Sequence, residues 1–325
     1  MATPAGGMSL WRRFAPWGVA LAVSANCAVA EAGTVRDGTG RTITVKDSSR
    51  IISIGGAVTE ILYALGLEKH IAAVDSTSQY PSHALSEKKN VGYMRQLSAE
   101  GVLGLAPSLI LSIAGAGPKE TMTVLHAAGV PLVIVPDDFT GEGIIEKVRI
   151  VAQAADVAAR GDCLADAVRT DLQALNVLRA QIGKPVRVMF ILSFVNGRAM
   201  VAGRNTAADG VIRMAGAVNA IAEYEGYKQI NDEAAVAARP DAVLVMKRSS
   251  AETLTPEEVF KHPALSVSPA AASKAFIAMD GLYLLGFGPR TALAARDLAT
   301  QLHAGLSNDA LPSERSKPVS ETCRQ

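Results

Sequence analysis

The sequence predicts an α/β protein of two Rossmann-like lobes with parallel-rich sheets, joined by a long bridging α-helix. Three observations lead there. The first is a cassette that occurs twice. Ser98 to Ala106 reads as a short helix capped by Ser98, with Glu100 in its first turn and Pro107 as its stop. Ser108 to Ile113 then forms an apolar run suited to a strand buried on both faces. Ile230 to Met246 repeats this order: Asn231 takes the cap, Glu233 lies seven residues before Pro240 as Glu100 does before Pro107, and an apolar strand follows. The second observation is the alternation of strand and helix patterns, which calls for parallel sheets with crossover helices. The third is the stretch from Glu142 to Ile182, helical almost without interruption. Its later part, some 20 residues long, would span ~30 Å at 1.5 Å per residue, enough to bridge two lobes.

Taken in order, Thr34 to Val45 reads as a β-hairpin around an Asp37-Gly38 turn. Arg50 to Ile54 is a strand, broken by Gly55-Gly56, and Val58, Ile61, Leu62 and Leu65 mark a helix ended by Gly66. Ile71 to Val74 is the next strand, followed by a polar loop. After the first cassette come the loop Ala114 to Pro118, a helix over Lys119 to Ala128 and a strand over Val130 to Val135. Ile144, Ile145, Val148, Val151 and Ala152 form one helical stripe, and Leu164, Val168, Leu172, Leu175 and Leu178 another; Gly161-Asp162 reads as the break between them. The second lobe opens at Pro185, with strands over Arg187 to Phe194 and Gly197 to Val201 and a helix opened by Asn205 to Asp209 and ended by Gly216. After the second cassette follow a helix begun by Thr255-Pro256-Glu257, a strand over Ala275 to Met279 and a last helix to His303. The domain boundaries expected from this are a signal peptide over 1–30, a first lobe over 31–158, the bridge over 159–183, a second lobe over 184–306 and a disordered tail over 307–325, rich in Ser, Pro and charge.

The first 30 residues resemble a secretory signal: Arg12 and Arg13, a short apolar segment around Val19 to Val23, and a small-x-small site at Ala28-Val-Ala30. The segment is too short for a membrane span, which needs about 20 residues. Ser24 and Asn26 match a lipoprotein signal at Cys27 poorly. Removal leaves about 295 residues, room for two domains. The whole chain has 32 basic and 31 acidic side chains; loss of the two arginines takes the net charge from +1 to −1. No nucleic-acid partner fits that balance. Cys163 falls in a helical region and Cys323 in the polar tail, so no disulfide framework is expected. With no later stretch long and apolar enough to span a bilayer, the expectation is a protein free in the periplasm, without stable membrane insertion.

Catalytic constellations fall short. There is no Gly-x-Ser-x-Gly elbow and no Walker-type phosphate loop. His70, His83, His126, His262 and His303 stand at no metal-ligand spacing with one another or with a cysteine, and each reads as a surface or satisfied histidine. Ala114 to Gly117 lacks the acidic partner of a dinucleotide fingerprint and reads as a plain turn. What remains are the loops at the strand tips, which would face a cleft between the lobes. Tyr93 and Arg95 are two apart in an extended loop, so their side chains point the same way. A phenol beside a guanidinium suits ferric iron: the cation favours phenolate, and the metal lowers the phenol pKa further from about 10. Tyrosine is among the axial ligands of haem iron. Spacing alone also allows an ordinary half-buried aromatic beside a solvated charge.

The succession Arg50-Ile-Ile-Ser-Ile-Gly55, Thr59-Glu60, Gly92-Tyr-Met-Arg-Gln-Leu-Ser-Ala-Glu-Gly101, Asn205-Thr-Ala-Ala-Asp209 and Leu284-Leu-Gly-Phe-Gly-Pro-Arg290 resembles the periplasmic haem-binding proteins of bacterial haem-uptake ABC transporters. They belong to the helix-bridged class III periplasmic binding proteins, which also carry cobalamin and siderophores. The resemblance runs over nearly all of residues 33 to 305, and the Tyr-x-Arg loop is its part most specific for haem. It implies a monomeric binding protein, not an enzyme, with haem between the lobes as transported ligand, Tyr93 on the iron and Arg95 on the propionates. Lys247 and Arg248, in the loop after a second-lobe strand, are the propionate contacts expected by topology. Glu100 and Glu233 are implied to dock onto arginines of the two subunits of an ABC permease with its ATPase subunits. No histidine lies in a comparable cleft loop, so a second stacked haem is not expected. The alternatives are a siderophore or cobalamin carrier on the same fold, and an exported α/β enzyme, for which no nucleophile–base motif exists.

Overall fold

Parallel strands need crossover connections, and helices supply them between the parallel strands of both sheets. The computed structural model describes residues 1–2, 33–247, 253–303, 305–306 and 323. The expected signal peptide and tail therefore lie outside the described residues, apart from Met1, Ala2 and Cys323, and so does Arg248.

The first lobe begins with the expected hairpin, β1 (Gly33–Arg36) against β2 (Thr42–Val45). Its turn is held by the Asp37 carboxylate, which accepts from the backbone N–H groups of Thr39 and Arg41. There follow β3 (Ile51–Ile54), α1 (Gly56–Ala64), β4 (Ile71–Val74), α2 (Ala84–Glu87), β5 (Lys89–Asn90), α3 (Ala99–Leu103), β6 (Leu109–Ile113), α4 (Lys119–Ala127), β7 (Leu132–Val135) and α5 (Gly141–Ala154). The strands pair in parallel in the order β5-β4-β3-β6-β7. All residues of β3, β6 and β7 are buried, as continuous apolar runs covered on both faces must be. The loops at the carboxyl ends of these strands gather along one sheet edge, the side where open α/β sheets bind ligands.

The bridge is α6 (Ala158–Arg179), whose 22 residues correspond to ~33 Å. The break between α5 and α6 falls at 155–157, where Asp156 has φ 58°, and not at Gly161-Asp162. Gly161 lies inside α6 because the helices cross there: a Cβ on it would sit 2.2 Å from the Ala152 Cβ. Leu164, Val168, Leu175 and Leu178 of α6 are buried in one apolar cluster with Val58 and Ile61 of the first lobe and Val211 and Leu298 of the second. The expectation of no disulfide is overturned. Cys163 in α6 is bonded to Cys323, with Cα atoms 5.6 Å apart across 160 residues of sequence. The pairing is a tertiary contact, so helical or polar surroundings in sequence say nothing about it.

The second lobe comprises β8 (Arg187–Val195), β9 (Arg198–Ala202), α7 (Ala207–Met214), β10 (Val218–Asn219), β11 (Tyr227–Gln229), α8 (Asp232–Ala238), β12 (Ala242–Lys247), α9 (Pro256–Lys261), α10 (Pro263–Ser266), α11 (Pro269–Ser273), β13 (Phe276–Asp280), α12 (Gly281–Leu285) and α13 (Thr291–Leu302). Its sheet runs β11-β9-β8-β12-β13, with β10 also on β8. β8, β12 and β13 are parallel, while β8–β9 is an antiparallel hairpin turned by Asn196-Gly197, both at positive φ. β11 extends that hairpin antiparallel. The sheets are thus parallel-rich, one in each lobe, with α6 between the lobes. Both cassettes form with the expected caps, but α3 ends at Leu103 with Gly104 as its C-cap, short of the Ala106 expected from the Pro107 stop. Ser98 accepts from the Gly101 N–H at the start of α3, and Asn231 from the Ala234 N–H at the start of α8. In α7 the cap is Thr206, one residue later than Asn205, which instead takes the left-handed turn at φ 57°.

Candidate functional site

The segment 91–97 follows the edge strand β5 and is tied down on both sides. On one side the Ser76 N–H donates to the Gly92 carbonyl, joining it to the loop after β4. On the other, the Gly117 N–H donates to the Met94 carbonyl and the Leu97 N–H to the Gly117 carbonyl, joining it to the loop after β6. Gly92, at φ 92°, makes the entry bend, and a Gln96 N–H to Tyr93 carbonyl bond closes a turn. Met94 packs inward against the first-lobe core, while Tyr93 and Arg95 on either side of it are exposed, Tyr93 by 43%. An available phenol and guanidinium thus stand on a loop held at three points.

The loop after β4 is itself braced from below. The fully buried Asp75 carboxylate accepts from the backbone N–H groups of Gly55 and Thr77 and from the hydroxyls of Thr77 and Ser78. Ser78 continues through Thr59 to Ser53 at 2.7 Å each. Buried polar groups of this kind stay only when satisfied, and here they fix the floor next to Tyr93.

Across from this loop lies a residue absent from the sequence expectations, Tyr227 of β11. Its phenol sits at the start of α7, with the Ala208 N–H and the Thr206 side chain beside it. The Arg95 charge and the Asp137 carboxylate, both of the first lobe, also act on it. Burial is the main cause that pushes this phenol's pKa up; the Ala208 N–H, Thr206 and Arg95 oppose it, and Asp137 adds to it. The ring, still 37% exposed and edge-on to Phe190 at 6.3 Å, therefore carries a phenol that stays protonated at neutral pH. Asp137 is anchored by Lys147, a lysine with no exposed surface whose Nζ donates to it at 2.9 Å. Next to it, Phe139 meets Phe287 of the second lobe edge-on at 5.2 Å. Gly210 of α7 is needed there, since a Cβ would lie 2.7 Å from the Phe139 carbonyl oxygen.

The other sequence candidates scatter. Lys247 ends β12 at the strand's carboxyl end, exposed, with Asp280 as its register partner in β13. Among the described residues, no hydrogen bond or ion pair joins it to Tyr93, Arg95 or Tyr227. Glu100 and Glu233 occupy the second position of α3 and α8, both exposed and neither in an ion pair among the described residues. The residue that sequence reasoning missed, Tyr227, carries no local signal. It follows the polar run Glu223-Tyr-Glu-Gly226, and its address is set by the pairing of Tyr227 with Ala202.

The sequence model of the family described as periplasmic binding protein matches residues 51–282. Among solved structures, the periplasmic haem-binding protein RhuT from Roseiflexus sp. RS-1 is 39% identical, with a TM-score of 0.75 over 81% of this chain and 99% of its own. The haem-binding protein BhuT, solved with two haems, is 36% identical, with a TM-score of 0.75 over 80% of this chain and all of its own (100%). At the sequence level, the vitamin B12-binding protein of Yersinia pestis (strain Pestoides F) is 25% identical over 262 residues, 80% of this chain and 89% of its own.

Proposed function

The chain belongs to the periplasmic binding protein family, and on that premise we propose that it binds haem between its lobes in the periplasm and delivers it to an inner-membrane ABC permease. The observation that carries this reading is the Tyr93-Met94-Arg95 loop, pinned by backbone hydrogen bonds with the phenol and guanidinium both exposed. Relatives 39% and 36% identical whose names state haem binding support it. Tyr93 is the axial ligand, bound as phenolate. Arg95 offers a planar fork to a propionate and a positive charge to the phenolate. Tyr227, kept protonated, donates a hydrogen bond from the second lobe. Lys247 and Arg248 are the further propionate contacts, and Glu100 and Glu233 the permease contacts. The chain acts as a carrier and not an enzyme, and as a monomer. The functional lobes are 31–158 and 184–306 about the bridge 159–183, with 1–30 removed on export. The Cys163–Cys323 bond supports an oxidising compartment.

The test is a titration of the purified mature protein with hemin, followed by absorption spectroscopy. A high-spin tyrosinate spectrum that saturates, and that Tyr93→Ala abolishes, is the expected result; an unchanged spectrum in that variant refutes the ligand assignment. The relative named for vitamin B12 favours one second reading, a cobalamin carrier on the same fold. Saturable binding of cyanocobalamin without a response to hemin would establish it.

A further inference from the structure

Two motifs of the sequence, Thr59-Glu60 and Gly286-Phe-Gly-Pro-Arg290, lie 230 residues apart and meet between the lobes. Glu60 is in the first-lobe helix α1, and its side chain is 5% exposed. Arg290, immediately before α13 of the second lobe, donates to it three times: Nε to Oε1 at 3.0 Å, Nη2 to Oε2 at 2.9 Å and its backbone N–H to Oε1 at 3.2 Å. The guanidinium carbon lies 3.4 Å from the centroid of Tyr80, a first-lobe ring, and 5.1 Å from that of Tyr283 in the second lobe. Tyr283 is fixed in turn by donating to Asp297 at 2.9 Å. The approach is tight at Gly288, where a Cβ would lie 3.2 Å from the Glu60 carboxyl carbon. Leu282 of the second lobe also reaches Gly56, where a Cβ would lie 2.6 Å from its Cδ1, although it is the first-lobe Thr77 carbonyl oxygen, at 2.4 Å, that demands glycine there.

A bidentate guanidinium–carboxylate pair fixes direction as well as distance, because both groups are planar and both N–H···O bonds need alignment. Stacking on Tyr80 sets the guanidinium plane a second time. The geometry points to Glu60 and Arg290 as the pivot of the two lobes: a positioning pair that sets the angle at which β11 presents Tyr227 to the Tyr93–Arg95 loop. The lobes swing about this joint without breaking it, so cargo enters and leaves through a small rotation. Nothing in the ligand chemistry of Tyr93 depends on it. The haem reading is needed only for the release measurement below, and the distance measurement requires no ligand, so the two can fail separately.

The test places spin labels through Lys119→Cys and Lys261→Cys, exposed positions in the first and second lobe, on the disulfide-bonded mature protein. Double electron–electron resonance should give one narrow distance distribution, shifted little by hemin. Glu60→Gln, which sets a donor against a donor, and Arg290→Lys, which keeps the charge but loses the fork, should each broaden it. The double variant should be no broader than either single one, since the two act as a unit. Haem transfer to apomyoglobin should accelerate roughly tenfold or more in both single variants, as expected for loss of a charge-assisted hydrogen bond, while the tyrosinate absorption maximum stays in place. Tyr80→Leu, at a position 39% exposed, provides a milder variant that keeps the fold and should broaden the distribution in part. A broad or two-peaked distribution in the protein with Glu60 and Arg290 intact overturns the proposal, as does an unaltered one in Glu60→Gln and Arg290→Lys. Loss of the tyrosinate band in those variants overturns it too, by placing the pair in the ligand site itself.

Discussion

Tyr93 and Tyr227 share a side chain and are similarly exposed, by 43% and 37%, but the groups around the Tyr227 phenol separate their roles. Tyr93 is on an exposed loop, two residues before Arg95; Tyr227 has its phenol pushed towards the protonated form by burial. Tyr93→Ala should therefore abolish the tyrosinate spectrum. Tyr227→Phe should preserve that spectrum and weaken haem by only about 2- to 10-fold, the worth of one neutral hydrogen bond of roughly 0.5–1.5 kcal/mol; fluorescence-quenching titrations distinguish the two. Tyr283 gives a pH prediction. Burial first, then the Asp297 charge and the hydrogen bond to it, raise its pKa well above the ordinary value. A raised pKa means the folded state holds the proton more tightly. Its contribution is complete below about pH 10, the unfolded value, and is lost as pH rises from there towards the folded value. Urea midpoints measured between about pH 9 and pH 11 should fall, and fall less in Tyr283→Phe. The exposure of Tyr93 and Arg95 on one loop was legible in the sequence because a two-residue spacing is local. Tyr227 was not, because only the β11–β9 register brings it to the cleft.

Among the elements, the starts of the cassette helices could be read from their caps, Ser98 and Asn231, because capping is decided within three residues, whereas the end of α3 at Leu103 falls before the Pro107 stop. The junction of α5 and α6 could not. Glycine in a helical pattern signals a break, yet Gly161 is a contact point, where an added Cβ would lie only 2.2 Å from that of Ala152. The short strands β10 and β11 were missed for a related reason: two or three residues show no periodicity, and only their neighbours make them strands. The disulfide belongs to the same class of non-local facts. Gly161 leads to a prediction opposite in sign to intrinsic propensity. Gly→Ala inside a helix ordinarily stabilises by about 1 kcal/mol. Here Gly161→Ala should destabilise by about 1–3 kcal/mol through overpacking against Ala152, and Ala152→Gly in the same chain should recover much of it. Urea denaturation of the three variants checks the sign and the coupling.

At the scale of the whole molecule, two lobes with the same cassette are joined by α6 and by a continuous core, so each lobe offers the same local feature to a partner. Ala99 and Asp232 are the first residues of α3 and α8, and Glu100 and Glu233 the second. A carboxylate in a first turn gains about 0.3–1 kcal/mol from the helix dipole, enough to account for either one alone. It does not account for an acid at the same place in both halves, exposed and without an ion pair among the described residues. A permease built from two like subunits has two like sites, and a carrier with one carboxylate per lobe can meet both at once. Because the contacts are exposed charges, docking should weaken steeply with salt. Glu100→Ala with Glu233→Ala should leave hemin titrations unchanged and impair transport and carrier-stimulated ATP hydrolysis in proteoliposomes. Each single variant should lose part of that activity, since one docked lobe still holds the carrier near the entrance. Full transport by the double variant would return both glutamates to their role as helix-terminal charges.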